Sequence, residues 1–182
     1  MSKRSRIRVG MLGAGGIAGV HCAGWKELDD CELVAVADIS ADASKKRAEE
    51  FAIAEIEPTA KKLIERDDLD VIDIVVPNMF HKKFSIDALR AGKHVLCEKP
   101  LALKARDVDA MIAASEASGK KLMCAQHQRF SVEAIGLKEY LQQRPLGDVY
   151  YARAWYNRRR LLPCTPGFMY KKNSGGGCCI DV

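Results

Sequence analysis

No apolar run in this chain approaches the ~20 residues needed to span a bilayer, the N-terminus lacks the apolar core of a secretion signal, and Met1-Ser-Lys-Arg-Ser-Arg6 reads as a solvated tail. A soluble, cytoplasmic protein with no membrane partner is therefore expected. Seven cysteines form no CxxC pair, which removes the usual zinc and dithiol-redox spacings. Cys97, in Val95-Leu96-Cys97, and Cys124, in Leu122-Met123-Cys124-Ala125, read as small buried hydrophobes, and seven thiols without a framework fit a reducing compartment. No metal is expected. Internal repeats and low-complexity segments are also missing. Acids are absent from 149 to 180, where six bases lie (Arg153, Arg158, Arg159, Arg160, Lys171, Lys172). Setting those six aside from the 29 bases leaves 23 against 24 acids, so the formal +5 belongs to that one segment. A nucleic-acid patch is conceivable there, but Tyr150, Tyr151, Trp155 and Tyr156 sit in a strand-like run rather than an RNA motif. The reading is a solvated loop, or one that meets an anionic substrate or an acidic surface, with no nucleic-acid partner.

What is present is alternation. Hydrophobic content of 48% and charged content of 29% suit a globular protein, and 182 residues suffice for one domain and part of another. Strand and helix signals alternate up to residue 125: Ile7 to Leu12, a helix over Ile17–Leu28, Leu33 to Ala37, and a helix over Ala41–Phe51. Then come a short strand in Ile53–Ile56, a helix carrying Leu63 and Ile64, and the β-branched run Val71–Val76, closed by Pro77. A helix bearing Phe80, Phe84, Ala88 and Leu89 stops at Gly92, and a strand follows from His94 to Cys97. A helix through Val108, Met111, Ile112 and Ser115 stops at Gly119, ahead of a strand from Lys121 to Ala125. This is the pattern of a doubly wound parallel α/β sheet. After Gln126 the pattern changes to a helix over Val132–Gln143 and a period-two run over Val149–Tyr156, as in an antiparallel or mixed sheet. The division expected is 1–125 for the α/β domain and 126–182 for the incomplete start of a second α/β domain.

The most specific local signal is Arg6-Ile-Arg-Val-Gly-Met-Leu-Gly-Ala-Gly-Gly-Ile-Ala18 with Asp38 twenty residues on. Gly13 allows a tight turn between strand and helix, Gly15 keeps the backbone clear of a pyrophosphate, and Ala18 lets helix and strand pack closely. Phosphates would meet the free N–H groups and positive end of the helix beginning near Gly16. Asp38, at the tip of the next strand, can accept from both hydroxyls of an adenosine ribose and would repel a 2′-phosphate. NAD is therefore expected over NADP. Lys45, Lys46 and Arg47 lie too far along the following helix to form an obvious phosphate clamp. No Tyr-x-x-x-Lys pair occurs, which removes the short-chain type of dehydrogenase site, and the turn is not the GxGxG form common in methyltransferases.

Three further motifs make the chain resemble the glucose–fructose oxidoreductase / inositol dehydrogenase / rhizopine-catabolism (Gfo/Idh/MocA) family. They are Val76-Pro-Asn-Met-Phe-His81, the diagnostic stretch Ala88-Leu-Arg-Ala-Gly-Lys-His-Val-Leu-Cys-Glu-Lys-Pro-Leu-Ala102, and Ser174-Gly-Gly-Gly-Cys-Cys-Ile-Asp181. The resemblance implies a two-domain NAD(P)-dependent oxidoreductase of sugars or polyols, with a homo-oligomer compatible. By the same resemblance Gly13, Gly15, Gly16, Ile17 and Ala18 would hold the pyrophosphate side, and Asp38 the ribose. Pro77, Asn78 and His81 would lie along the nicotinamide half, and Glu98, Lys99 and Pro100 at the junction of cofactor and substrate. Gln126, on the cofactor side, and Arg129, on the substrate side, would sit at the crossover into the second domain. Asp181 matches the first member of an aspartate–histidine pair four residues apart, whose histidine would fall past Val182. The expectation is therefore a chain that binds its dinucleotide and turns over little. The alternative is a non-catalytic NAD(H)-binding module or sensor.

Lys99 is the leading catalytic candidate, with Asp181 second. An alcohol gives up a hydride only while its hydroxyl proton leaves. A lysine with the ordinary pKa of about 10.4 is a poor proton acceptor, so Lys99 suits a hydrogen bond and positive charge on the substrate oxygen. His81, opening a helix, is equally readable as a cap, and His21, His94 and His127 carry weaker signals still.

Overall fold

The computed structural model describes residues 6–155, 157 and 175. Strands β1 (Ile7–Leu12), β2 (Cys31–Ala37), β3 (Glu55–Ile56), β4 (Val71–Ile74), β5 (His94–Glu98) and β6 (Leu122–Ala125) form one sheet. Its order is β3-β2-β1-β4-β5-β6, and every adjacent pair is parallel. Parallel neighbours require crossovers, which α1 (Ala18–Lys26), α2 (Ala41–Phe51), α3 (Ala60–Ile64), α4 (His81–Arg90) and α5 (Ala105–Ser118) provide. Helix α6 (Val132–Gln142) follows a single turn of 3₁₀ helix at His127–Phe130.

Alternation along the strands divides the core between the two faces of the sheet. Val9, Met11, Leu33 and Val36 pack with Ala18 and Cys22 of α1 and Ala48 of α2. Leu12, Ile72, Ile74 and Val95 pack with Leu63 of α3 and with Ala88 and Leu89 of α4. This is the doubly wound arrangement that the β-branched runs predict. The helix boundaries have local causes. Ser40 accepts from Ala43 N–H and Thr59 from Lys62 N–H as N-caps. Gly119, at φ +66°, closes α5 in the left-handed conformation.

Several expectations change, among them Cys124, which is half-buried rather than buried. The fourth strand ends at Ile74 rather than Val76, because the chain leaves the ladder toward Pro77, which has no N–H to pair. Residues 149–155, expected as a strand, form none, and Tyr150, Tyr151 and Trp155 are exposed. Alternation alone does not make a strand without a neighbour to complete its ladder.

Candidate functional site

All six strands point the same way, so their C-terminal ends share one edge. The register places Leu12 beside Ala37 and Ile74, Ile74 beside Cys97, and Cys97 beside Cys124. Each segment just beyond these residues carries sequence-predicted site groups: Gly13 to Ala18, Asp38, Pro77 to His81, Glu98 with Lys99, and Gln126. The strand order reverses between β1 and β4, and the crevice at such a reversal is where open α/β sheets bind ligands.

The glycine-rich turn is built differently at each of its positions. Gly13 sits at φ +106°, and a β-carbon there would lie 2.7 Å from the Val75 carbonyl oxygen, so both conformation and space exclude a side chain. At Gly15 and Gly16 nothing lies within 4 Å of that position, so the backbone faces open space. Helix α1 begins there with no side-chain cap and no acid in its first turn, whereas α2 has both Ser40 and Asp42. A helix start left positive and uncapped beside an exposed glycine backbone has the donor set a pyrophosphate requires. The Asp38 carboxylate completes that end. One oxygen accepts from Ala14 N–H at 2.8 Å and the other from Ser40 N–H at 2.8 Å, which fixes its orientation over the turn. The residues present therefore fit a dinucleotide.

The other end of the crevice contains Pro77, which is exposed, Asn78, which is buried, and the Glu98-Lys99-Pro100 turn with its cis Lys99–Pro100 bond. His81 is fully buried: Nδ1 lies 2.7 Å from the Pro100 carbonyl oxygen and Nε2 lies 2.8 Å from that of Val76. Both ring nitrogens are thus engaged with main chain, and the imidazole ties the Pro77 loop to the Lys99 turn instead of lying along the crevice. Gln126 and Arg129 are exposed and joined to each other, with Arg129 Nε donating to Gln126 Oε1 at 2.6 Å. Asp181 lies outside the described residues.

Sequence reasoning missed a buried polar cluster directly behind this site. His21 of α1 stands between two carboxylates, with Nδ1 2.9 Å from Asp73 Oδ2 and Nε2 3.0 Å from Glu98 Oε1. Trp25 Nε1 donates to the same Asp73 oxygen at 2.6 Å, and Lys99 N–H donates to Glu98 Oε2 at 2.8 Å. Burial works against a charge on His21, but hydrogen bonds to Asp73 and Glu98 and their negative charge outweigh it, raising the imidazole to about 9. Burial also opposes ionisation of Glu98, yet the bonds from His21 and Lys99 N–H hold its carboxyl below the ordinary value. The signal was legible in principle. Asp73 is a charge inside a β-branched run, and His21 and Trp25 are spaced i, i+4 on one helix face. Arg47 was also undervalued: it reaches the glycine turn from behind, donating to the Gly15 carbonyl at 2.9 Å. Among the described residues no group of three or more His, Cys, Asp or Glu is arranged to hold a metal ion, and no helix is long and apolar enough to cross a membrane.

Residues 7–126 match the model of the oxidoreductase family with the NAD-binding Rossmann fold, and the chain belongs to this Gfo/Idh/MocA family. It is 33% identical over 179 residues to a D-glucoside 3-dehydrogenase of Escherichia coli K12, covering 98% of this chain and 51% of that protein. It is 29% identical over 170 residues to a myo-inositol 2-dehydrogenase of Thermotoga maritima, covering 93% and 50%. The chain thus spans about half the length of these relatives. Among solved structures, an NAD-binding protein from Listeria innocua superposes with a TM-score of 0.73 at 28% identity, covering 79% of this chain and 42% of that one. An NAD-binding oxidoreductase from Klebsiella pneumoniae shares the fold with a TM-score of 0.79 over 97% of this chain and 50% of its own, at 23% identity.

Proposed function

We propose that this chain supplies the cofactor-binding half of an NAD-dependent dehydrogenase of sugars or polyols, with Lys99 on the substrate side. The observation that carries the reading is the open backbone at Gly15, with Asp38 on one side and the Glu98–Lys99 turn on the same sheet edge. When bound, the nicotinamide accepts or donates the hydride. The chain's own residues bind and orient. Gly15, Gly16 and Ile17 at the start of α1 hold the pyrophosphate with Ala18 packed beneath, and Asp38 accepts from the ribose hydroxyls, which favours NAD over NADP. Pro77 and Asn78 line the nicotinamide half, with His81 bracing the loop from inside.

At the reacting end, Lys99 places a positive charge and hydrogen-bond donors on the substrate oxygen. Such a group stabilises an alkoxide as the hydroxyl proton departs and orients the carbon that carries the hydride. Gln126 and Arg129 stand at the start of the second unit, 126–182, and reach toward the same substrate. Asp181 is assigned to the proton-handling side by the family motif alone. Relatives named for glucosides and inositols support a polyhydroxy substrate.

The test is NADH fluorescence with a panel of inositols, glucose and related polyols. NADH should bind wild type and Lys99→Ala equally, and polyol should shift the emission of the bound nucleotide only in wild type. NADH binding with no polyol response in wild type would reduce the reading to a nucleotide-binding module.

A further inference from the structure

His21, Asp73 and Glu98 come from three different elements, yet meet through one ring: α1 behind the glycine turn, the middle of β4 and the end of β5. Asp73 is fully buried, and the side chains of His21 and Glu98 are each 10% exposed. Both carboxylates can only accept, so the ring satisfies both only when it carries two protons. A buried ion pair of this kind is weak as a source of stability, because desolvation offsets attraction and apolar residues often serve as well. What such a cluster does supply is fixed geometry. Here the geometry leads outward: the Glu98 oxygen not used by His21 receives the Lys99 N–H at 2.8 Å.

We propose that His21 is a positioning residue for Lys99: its ring clamps the Glu98 carboxylate against buried Asp73, and that carboxylate holds the Lys99 peptide at the tip of β5. The proposal deepens the reading of Lys99 as the substrate-facing group and rests on it. The clamp also connects the two ends of the crevice, since α1 begins at the pyrophosphate turn and Lys99 stands at the reacting end. The other titratable groups around the cluster leave His21 as the group that changes charge near pH 9, below the thiols. On α1 itself, burial pushes the Cys22 thiol up to about 11. On β5, burial pushes Cys97 up to about 12, and on β6 it raises Cys124. Lys99 stands beside Glu98 and helps hold it ionised, while Trp25 does not titrate.

The experiment is a ¹H–¹⁵N NMR titration of the full 182-residue chain, following the His21 ring nitrogens and the Lys99 backbone amide from pH 5 to 10. Both ring nitrogens should be protonated at pH 7. The Lys99 amide shift should move in one step with the His21 midpoint, near 9. In His21→Gln that step should vanish while the amides of β1 and β2 stay in place. Should that variant not fold, Glu98→Gln reads the same link, with the His21 midpoint falling and the Lys99 step lost. A Lys99 amide indifferent to His21 titration in wild type overturns the proposal. NADH added to the same samples separates the two readings. Binding with an indifferent Lys99 amide removes only the clamp, and a coupled amide without NADH binding removes only the cofactor reading.

Discussion

The guanidinium of Arg47 donates to the main-chain carbonyl of Gly15 at 2.9 Å, bracing the glycine-rich turn from the side away from the crevice. Its other terminal nitrogen pairs with Glu50 at 2.8 Å, and the residue is 9% exposed, so the head group is held on both sides. This placement explains Gly19. A β-carbon there would lie 2.6 Å from Arg47 Nη1, so the guanidinium must shift to admit it.

Gly19→Ala should therefore displace Arg47 and loosen the turn without unfolding the chain. Alanine gains about 1 kcal/mol over glycine in a helix, which offsets much of one lost charged hydrogen bond of about 1.5–3 kcal/mol. NADH affinity should fall about tenfold, equivalent to about 1.4 kcal/mol, with the melting temperature nearly unchanged. Calorimetric titration beside thermal denaturation checks both halves. An unchanged NADH affinity would show that the brace does not matter to the nucleotide.

Gly13 and Gly15 should fail in opposite ways. Gly13→Ala meets the Val75 carbonyl at 2.7 Å in a left-handed backbone, so it should lose at least 2 kcal/mol of stability, on the scale of about 1–3 kcal/mol per strained residue plus a clash. Gly15→Ala meets nothing and should keep or slightly raise stability, by up to about 1 kcal/mol. Its methyl group would stand in the proposed path of the pyrophosphate, so nucleotide binding should suffer most. Urea denaturation with NADH titration of the two variants gives the contrast directly, and equal destabilisation by both would contradict it.

Stability should decline on the alkaline side before any thiol titrates. The folded His21 value, about 9, is above the ordinary value of about 6.5. Its contribution is therefore full below pH ~6.5 and is lost as pH rises toward 9, a swing of about 3 kcal/mol at most. Cys22 and Cys97 are raised too, but their loss begins only above the ordinary thiol value of about 8.5. Glu98 and Asp68 run the other way: both are held low, so their contribution is lost as pH falls below about 4. Melting curves of wild type and His21→Gln between pH 6.5 and 8.5 isolate the histidine. The slope should be present in wild type and absent in the variant.

Local signals carried most of the fold. The helix over Ala41–Phe51 and the stop of α5 at Gly119 were read directly, and the structure adds the Ser40 cap, since caps and periodicity act within a few residues. The glycine turn and its nearness to Asp38 were readable for the same reason: Gly13, Gly15 and Asp38 belong to one short βαβ unit. The cluster behind Lys99 was not, because His21 is 52 residues from Asp73 and 77 from Glu98, and only the sheet order brings them together. Arg47 was legible only as too far along α2 for a phosphate clamp, since reading along the helix says nothing of which loop its side chain reaches. His81 shows the converse. Its place in the motif was visible, but only the packing shows both its nitrogens turned to the carbonyls of Val76 and Pro100.

Asp38 stands at the ribose end of the proposed dinucleotide site, and paired NADH and NADPH titrations of wild type and Asp38→Ala decide whether it does so. Wild type should bind NADH more tightly than NADPH, because a 2′-phosphate would face a carboxylate fixed by Ala14 and Ser40 N–H groups. Asp38→Ala should weaken NADH and erase most of the preference. No binding of either nucleotide, or tighter NADPH binding that Asp38→Ala leaves unchanged, would contradict it.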